Sequence, residues 1–344
     1  MRVSRVFVIA RTLSTLVIAL SVGFIVIVMT VEEPLEAIFA FFLSVFTNTF
    51  YFGNLLSASV PLIFTGLAAA VAFSSSSFNL GLEGQVYLGA LVGTYIGVRM
   101  GGTSPLLILP VVILSGFFSG ALIAGISGLL KGFRGVNELI SSLLMSNGIV
   151  LVVDYIIEGP FNDGPSGLAA SMSLGKEVML PRILEPSSLH SGLFLALIMA
   201  VLLWAFMFRT RPGYDFRVTG KSPRFAYYGG INVKAVYFWS MFLSGGLAAV
   251  GGIVDVLGVH GRVLRGFSGG YGWNGIAVAL IARNHPLGVV PAALFFAYLE
   301  SGAQIASFEA GLTPEISRIV QAVVFYLVTA EAVLSFMKGG GKVD

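Results

Sequence analysis

The chain has 344 residues, of which 56% are hydrophobic and 11% are charged. Soluble domains carry about 25% charged residues, so this composition excludes a soluble globular protein, a disordered chain and a coiled coil. No cysteine is present, which excludes disulfides, thiolate metal sites and cysteine nucleophiles. The formal net charge of +3 is expected to come from basic cytoplasmic loops of a membrane protein and not to indicate binding of nucleic acid.

Apolar runs recur along the whole chain, and one membrane-spanning helix needs about 20 apolar residues. Two weaker segments, 37–53 and 275–284, are amphipathic or short and are expected to be interfacial or re-entrant. The sequence does not decide how 37–53 and 258–284 lie relative to the membrane. We predict an all-α polytopic membrane protein with eight to ten transmembrane helices, the first of them an uncleaved span. The predicted spans are 12–30, 54–73, 84–100, 105–130, 137–157, 191–208, 235–257, 286–306 and 314–336.

Basic residues orient these helices, because Lys and Arg concentrate in cytoplasmic loops. The segment 209–234 is strongly basic and is predicted to be cytoplasmic, whereas the Pro/Gly-rich segment 158–190 is placed outside. Arg262 and Arg265 fit this topology poorly, since their loop should also lie outside. Both termini are predicted to be cytoplasmic from the basic residues Arg2, Arg5, Arg11, Lys338 and Lys342.

The sequence contains a weak internal repeat built around two glycine-rich breaks. A stretch that begins at Gly66 ends in the break 79–85, and a similar stretch that begins at Gly246 ends in the break 268–275. Interrupted helices in corresponding positions are typical of a transport site near the middle of the membrane; the alternative is a pair of ordinary glycine-containing loops. We predict a single transmembrane domain over 1–344, with an N-terminal span and amphipathic segment (1–53), a first repeat (54–157), an external loop (158–190), a cytoplasmic coupling loop (209–234) and a second repeat (235–336).

Motifs for enzymatic chemistry are weak. Residues 215–222 end like a phosphate-binding loop, but Asp215 replaces the first glycine and no strand precedes them. The string Leu243–Gly246 resembles an ATPase signature, but it lies inside a predicted span and is interpreted as close helix packing by small residues. The histidines form no pair with metal-ligand spacing, so we predict no enzyme, no metal site and no cofactor.

A short helix is predicted inside the basic loop. Pro223 opens it and Gly229 and Gly230 close it, which is the expected asymmetry of helix ends. A short amphipathic helix on the cytoplasmic face would dock a soluble partner, with aromatic residues filling a groove and basic residues setting the orientation. The alternative is an interfacial helix held against lipid headgroups.

Three stretches, 77–85, 213–231 and 270–288, resemble in order the permease subunits of ATP-binding cassette (ABC) importers. The chain is most similar to the ribose/branched-chain amino acid permease family, in its nucleoside and simple-sugar branch. The resemblance covers about residues 54–336. Asn274 departs from the pattern, because an acidic residue is expected there, and this puts a charge-dependent role of the position in doubt.

The resemblance implies a permease subunit of the cell membrane that forms the translocation pathway for nucleosides or simple sugars and contains no ATPase of its own. It implies three partners: cytoplasmic ABC ATPases, a second permease in a homodimer or heterodimer, and an extracellular substrate-binding lipoprotein. The implied ATPase docking site is a coupling helix formed by Lys221, Pro223, Arg224, Phe225, Ala226, Tyr227, Tyr228, Gly229 and Gly230.

Polar residues in apolar surroundings are candidates for the translocation pathway, because polar groups inside a membrane face the bundle interior or a wet cavity. The alternative for each is a structural hydrogen bond or a helix cap. Ser142 and Asn147 add to the polar set on the span 137–157, and aromatic rings beside amides would suit a nucleoside or a simple sugar. The candidates are Asn79, Glu83, Gln85, Asn137, Glu138, Ser141, Tyr271, Trp273, Asn274, Asn284 and His285.

Two other function classes stay open at this point. An ion-coupled secondary transporter of a small polar solute would act without an ATPase but would need an ion site, for which Glu83 or Glu138 is the candidate. Uptake that survives loss of ATP and collapses with the ion gradient would favour it. A membrane-embedded enzyme would show a product-forming activity that depends on His260 or His285.

Overall fold

The computed structural model describes residues 34–164 and 167–311, with a few isolated positions near both ends of the chain. The predicted spans 12–30 and 314–336 and the basic residues of both termini lie outside these two ranges. The helices are α1 (Pro34–Phe42), α2 (Thr49–Phe73), α3 (Leu82–Arg99), α4 (Pro105–Arg134), α5 (Glu138–Glu158), α6 (Gly192–Arg209), α7 (Arg211–Lys221), α8 (Pro223–Tyr228), α9 (Val233–Asp255), α10 (Tyr271–Ile281) and α11 (Pro286–Glu309).

The predicted spans that fall within the described residues are all helices, which confirms the all-α membrane class. Six helices there are long and apolar enough to cross a membrane: α2, α4, α5, α6, α9 with its π-helical extension Val256–His260, and α11. α3 has 18 residues but is less apolar. Of the two weaker segments, 275–284 falls on the short helix α10, and 37–53 is divided between α1, a 3-10 turn at Ser44–Phe46 and the start of α2.

Glycines bring α9 into close contact with α3 and α4. Gly89 of α3 lies against Ala249 of α9, and Gly120 of α4 lies against Gly245 of α9, so that a side chain at any of these glycines would collide with the neighbouring helix. The hydrophobic effect does not bring helices together in lipid, so they associate through close packing of small residues. The string Leu243–Gly246 is therefore packing, as predicted, and α9 forms the interior of this part of the bundle.

The segment predicted to form the outer loop pairs with the chain that follows α9. Arg262 forms an ion pair with Asp163 at 2.7 Å, and Arg265 forms one with Glu158 at 2.7 Å. The Ser171 N–H also donates to the Val263 carbonyl at 2.8 Å, and the Val263 N–H donates to Ser171 Oγ at 2.9 Å. Each arginine that fitted the topology poorly thus has an acidic partner, and both loops lie at the same end of the bundle.

The chain divides into two compact units. The first contains residues up to Leu55 and those from Leu294 onward, and the second is Leu56–Ala293. In the first unit the Glu309 carboxylate accepts hydrogen bonds from the hydroxyls of Ser44 at 3.0 Å and Tyr51 at 2.7 Å, which ties the 3-10 turn and the start of α2 to the end of α11. The second unit contains both glycine-rich breaks.

The packing of α9 predicts opposite effects for the same change at two glycines. Gly245→Ala should lower the thermal unfolding midpoint of the purified chain, because the new methyl group meets Gly120 and Ala124 and overpacking costs about 1–3 kcal/mol. Gly148→Ala should leave it unchanged or raise it, because the space around Gly148 is open and alanine favours a helix by about 0.5–1 kcal/mol. Equal midpoints for the two variants would contradict this packing.

Candidate functional site

The break between α2 and α3 is held by hydroxyl groups of α5. The backbone N–H of Leu80 donates to Ser142 Oγ at 3.1 Å, and that of Gly84 donates to Ser146 Oγ at 2.8 Å. Non-helical backbone at membrane depth needs such partners, because an unpaired polar group costs several kcal/mol there. The serines of α5 thus replace the hydrogen bonds that a continuous helix would have made.

Two buried amides close the same break from the other side. The Asn79 side chain donates to Gln85 Oε1 at 2.8 Å and to Ser244 Oγ of α9 at 3.0 Å, while its oxygen accepts from Gly81 N–H at 2.9 Å and from Gln85 Nε2 at 3.1 Å. All three side chains are buried. Both predicted pathway residues, Asn79 and Gln85, therefore hold the first break against α9 in this structure.

A mostly buried ion pair lies beside the start of this break. Lys131 near the end of α4 contacts Glu138 at 2.7 Å, and its ammonium group also donates to the backbone oxygen of Ser76. The Glu138 carboxylate accepts from the Phe78 N–H at 3.3 Å, and the Lys131 ammonium lies 4.2 Å from the ring centroid of Tyr237 on α9. One charged cluster thus joins α4, α5 and α9 to the first break.

The second break, between α9 and α10, meets the first through Glu83. The Glu83 carboxylate accepts a hydrogen bond from Gly272 N–H at 2.7 Å and another from the Ser268 hydroxyl. Gly272 lies so close to the backbone at Glu83 that a side chain there would not fit. Because α3 and α10 both begin here, the carboxylate lies at the positive ends of two helices, where negative charge is stabilised.

The two breaks enter the bundle from opposite ends. The first follows α2 at the end that carries Lys131 of α4 and Gly220 of α7, and Gly220 lies against the backbone oxygen of Ser74. The helix α9 begins at this same end, directly after α8, and the second break follows its far end, beside the ion pair of Arg262. Their meeting at Glu83 therefore lies between the two ends of α9.

The residues predicted after the second break separate into two groups. Tyr271, Trp273 and Asn274 lie in the first turn of α10, where Trp273 is 49% exposed and the other two are half-buried. Asn284 and His285 lie beyond the other end of α10, about 16 Å away along an 11-residue helix. The His285 ring there packs 5.2 Å from the Phe208 ring of α6, so the structure does not bring these groups together.

The polar residues predicted to line a pathway along α5 also lie in two places, at the start of the helix and in its middle. Asn137 caps the helix by accepting from Leu139 N–H at 2.9 Å, and Ser141 is half-buried near the same end. Asn147 and Gly148 lie mid-helix and are both exposed, in a row with apolar exposed positions. The exposed Asn147 side chain has no hydrogen bond to another side chain or to backbone among the described residues, and the space around Gly148 is open.

The predicted short helix is present as α8, and a second helix precedes it. The Ser222 hydroxyl oxygen accepts from Phe225 N–H at 3.3 Å and caps α8, with Pro223 in its first turn and Gly229 at its end. The sequence analysis missed α7, whose buried positions include Phe216 and Thr219. Together these two helices replace most of the predicted loop 209–234.

α8 presents its aromatic residues outward. Ala226 is fully buried, whereas Phe225, Tyr227 and Tyr228 are 67%, 69% and 87% exposed. A groove of 580 Å³ runs beside the helix and is lined by residues that include Gly132, Arg224, Tyr228, Asn232, Lys234 and Tyr237. This surface combines exposed rings with cations and lies at the end of the bundle that holds the first break.

Comparison with known proteins shows which family the chain belongs to. Residues 51–329 match the family described as branched-chain amino acid transport system / permease component. The chain belongs to this family. It is a multi-pass membrane permease subunit of an ABC transporter, and subunits of this family are not themselves enzymes.

Relatives over nearly the whole chain carry the same assignment. The permease is 32% identical over 328 residues to the glucose ABC transporter permease protein of Haloferax volcanii. The matched region covers 92% of the chain and 86% of that protein. It is 32% identical to the probable riboflavin import permease protein of Treponema pallidum, over 89% and 81% of the two chains. It is 28% identical to the guanosine ABC transporter permease protein of Bacillus subtilis, over 95% and 94%.

Several residues of the permease that hold the breaks were missed by sequence reasoning. Lys131, Ser146, Ser244 and Ser268 were not singled out as site residues. Serines are common in membrane helices, so their type alone carries no signal. The spacing of Ser142 and Ser146 by one helical turn, on a helix that follows a predicted break, is the pattern that could have identified them.

The Lys131–Glu138 pair predicts strong coupling between two substitutions. Glu138→Gln should lower the thermal unfolding midpoint, because loss of one partner of a buried pair costs about 3–5 kcal/mol. Adding Lys131→Met should recover part of that loss. Glu158→Gln is the matched control, since its partner Arg265 is 62% exposed and such pairs are worth about 0–1 kcal/mol. Additive effects of the two changes at 131 and 138 would contradict a buried pair.

Proposed function

We propose that the permease forms half of the translocation pathway of an ATP-driven importer for nucleosides or simple sugars in the cell membrane. Cytoplasmic ABC ATPases dock on α8, and both chain termini lie on their side. An extracellular substrate-binding lipoprotein delivers the solute, and a second permease, identical or similar, completes the pathway. The observation that carries this proposal is the outward-facing aromatic surface of α8 at the end of the bundle that holds the first break.

The chemistry of α8 fits a docked protein better than lipid headgroups. The exposed rings of α8 lie beside a groove that Arg224 and Lys234 also line, so aromatic and cationic groups form one concave surface. Aromatic residues and arginine dominate the energy of protein interfaces. Arg224 and Lys234 at the groove call for acidic groups on the ATPase surface.

The mid-helix position of Asn147 supports a pathway along α5. An asparagine exposed to lipid at that depth would be costly, and the exposed faces of α4 and α6 are formed by apolar side chains such as Leu114, Leu122, Leu197 and Val201. We propose that Asn147 and Gly148 face a wet space shared with the second permease. The first turn of α10, with Trp273, lines the same pathway.

The substrate class follows from the side chains and from the relatives. Named relatives act on glucose and guanosine, polar compounds with rings and hydroxyl groups. An indole ring such as Trp273 stacks on a base or a sugar face, while asparagine amides bond hydroxyls and base edges. The ion-coupled alternative lacks this support, because Glu83 and Glu138 both already bond protein groups.

Substitution of the two tyrosines on α8 tests the docking surface. The double change Tyr227→Ala and Tyr228→Ala should weaken binding of the ATPase by more than about 30-fold, because central aromatic anchors contribute about 2 kcal/mol or more. Binding is measured by co-purification and by titration of the purified ATPase. Tyr155→Ala, at the other end of the bundle and 72% exposed, should bind normally. Normal binding by the tyrosine double variant would show that the ATPase docks elsewhere.

Substitution of Asn147 tests the pathway. Asn147→Leu should reduce ATP-dependent uptake of labelled guanosine or glucose several-fold while the unfolding midpoint stays the same, because the wet face loses a polar contact. Leu197→Ile on the apolar face of α6 is the control and should transport normally. Unchanged uptake together with a raised midpoint would place Asn147 against lipid. Uptake that persists without ATP but needs an ion gradient would favour the secondary transporter.

A further inference from the structure

We propose that Glu83 is a positioning residue that holds the first turn of α10 in place, and that it does not itself bind solute. Both carboxylate oxygens are engaged: one accepts from Gly272 N–H at 2.7 Å and the other from the Ser268 hydroxyl. A group whose acceptors face protein donors is poorly placed to recognise a solute. The inference deepens the proposed function, because that first turn carries the proposed pathway residues.

The chain before α10 is anchored by Phe267, whose ring lies 5.1 Å from the Tyr87 ring of α3, and by Ser268, whose Oγ accepts from Gly270 N–H at 3.2 Å. Gly266 and Gly270 adopt φ values of +74° and +96°, which only glycine adopts readily, and the space around both is open. Gly270 ends this segment as the N-terminal flanking residue of α10, where no side chain caps the helix. The Glu83 carboxylate, supplied from α3, therefore takes the place of a local cap.

The position of the carboxylate also explains why it tolerates burial between helices. Glu83 lies in the first turn of α3, and its oxygens reach the first turn of α10. Both helix ends favour a negative charge, and hydrogen bonds to an ionised carboxylate are about twice as strong as neutral ones. Gly272 allows the two backbones to approach, since any side chain there would separate them. The three features together form one clamp between the two breaks.

The clamp fixes the orientation of Trp273 and Asn274. Both follow Gly272 directly, within the same helical turn. Trp273 is exposed there and Asn274 is half-buried. A change at Glu83 should therefore alter how these residues meet solute while the bundle around α9 remains packed. A purely structural role would instead lower the amount of folded permease and leave each folded molecule fully active.

The absence of cysteine allows a direct test in the assembled transporter. Asn274→Cys provides a single thiol, and its rate of alkylation by a maleimide reports the exposure of the first turn. Glu83→Gln should increase that rate about tenfold, because a charge-assisted hydrogen bond is lost. Ser268→Ala should produce a smaller increase, and Glu83→Asp should lie closer to the parent. Glu177→Gln, which alters a carboxylate that accepts from Gly102 N–H elsewhere, should leave the rate unchanged.

Transport by the same variants, without the cysteine, separates this inference from the proposed function. Folded Glu83→Gln permease should move fewer solute molecules per ATP hydrolysed, with Ser268→Ala intermediate. If the parent complex transports but Glu83→Gln matches it in both alkylation and solute per ATP, the clamp is wrong. If the parent complex shows no ATP-dependent uptake of nucleosides or sugars, the proposed function is wrong, and alkylation alone still decides whether Glu83 holds the turn.

Discussion

Inside a membrane, every backbone polar group must find a partner within the protein. Within residues 34–311 two breaks separate helices that are part of an apolar bundle, and side chains supply partners for their backbone. Serines of α5 meet the first break, a buried pair of amides fixes it to α9, and a carboxylate joins it to the second break. Buried polar side chains such as Asn79, Gln85 and Ser244 thus hold backbone that is not helical.

Close packing makes these short bonds possible. An amide on the first break reaches Ser244 of α9 only because α3, α4 and α9 approach through glycines such as Gly89, Gly120 and Gly245. A larger residue at these positions would widen the bundle and separate donors from acceptors. These glycines are therefore needed for the hydrogen bonds between the helices as well as for the packing of the helices. The same closeness lets Gly272 bring the start of α10 against α3.

The sequence predicted the helices well and the contacts of the polar residues less well. Long apolar runs such as 105–130 fix a helix by length alone, and the Pro–Gly punctuation of α8 was sufficient to place it. The helix α7 was missed because its basic composition resembles a loop. Polar type identified Asn79, Glu83 and Glu138 as unusual, but only tertiary structure reveals that each one bonds a neighbouring helix. The exposure of Asn147 likewise depends on which way α5 faces. The roles of these residues in transport stay predictions.

A mechanical connection between the two functional surfaces follows from this arrangement. α8 follows α7, and Gly220 of α7 lies against Ser74 at the start of the first break. The first break leads to Glu83, and Glu83 holds the first turn of α10. If the ATPase docks on α8 as proposed, movement of α8 would have a contiguous route of packed and hydrogen-bonded groups to the proposed pathway.

Hydrogen–deuterium exchange of the assembled transporter tests this account most directly. In the absence of nucleotide, peptides covering 78–86 and 266–275 should exchange slowly, since amides such as those of Leu80, Gly84 and Gly272 donate to side chains and others donate to backbone carbonyls. Addition of ATP should accelerate exchange in both peptides, while the peptides of α4 stay protected. Rapid exchange in both breaks without nucleotide would contradict the claim that hydrogen bonds hold them, and no response of either break to ATP would contradict a connection from α8 to the breaks.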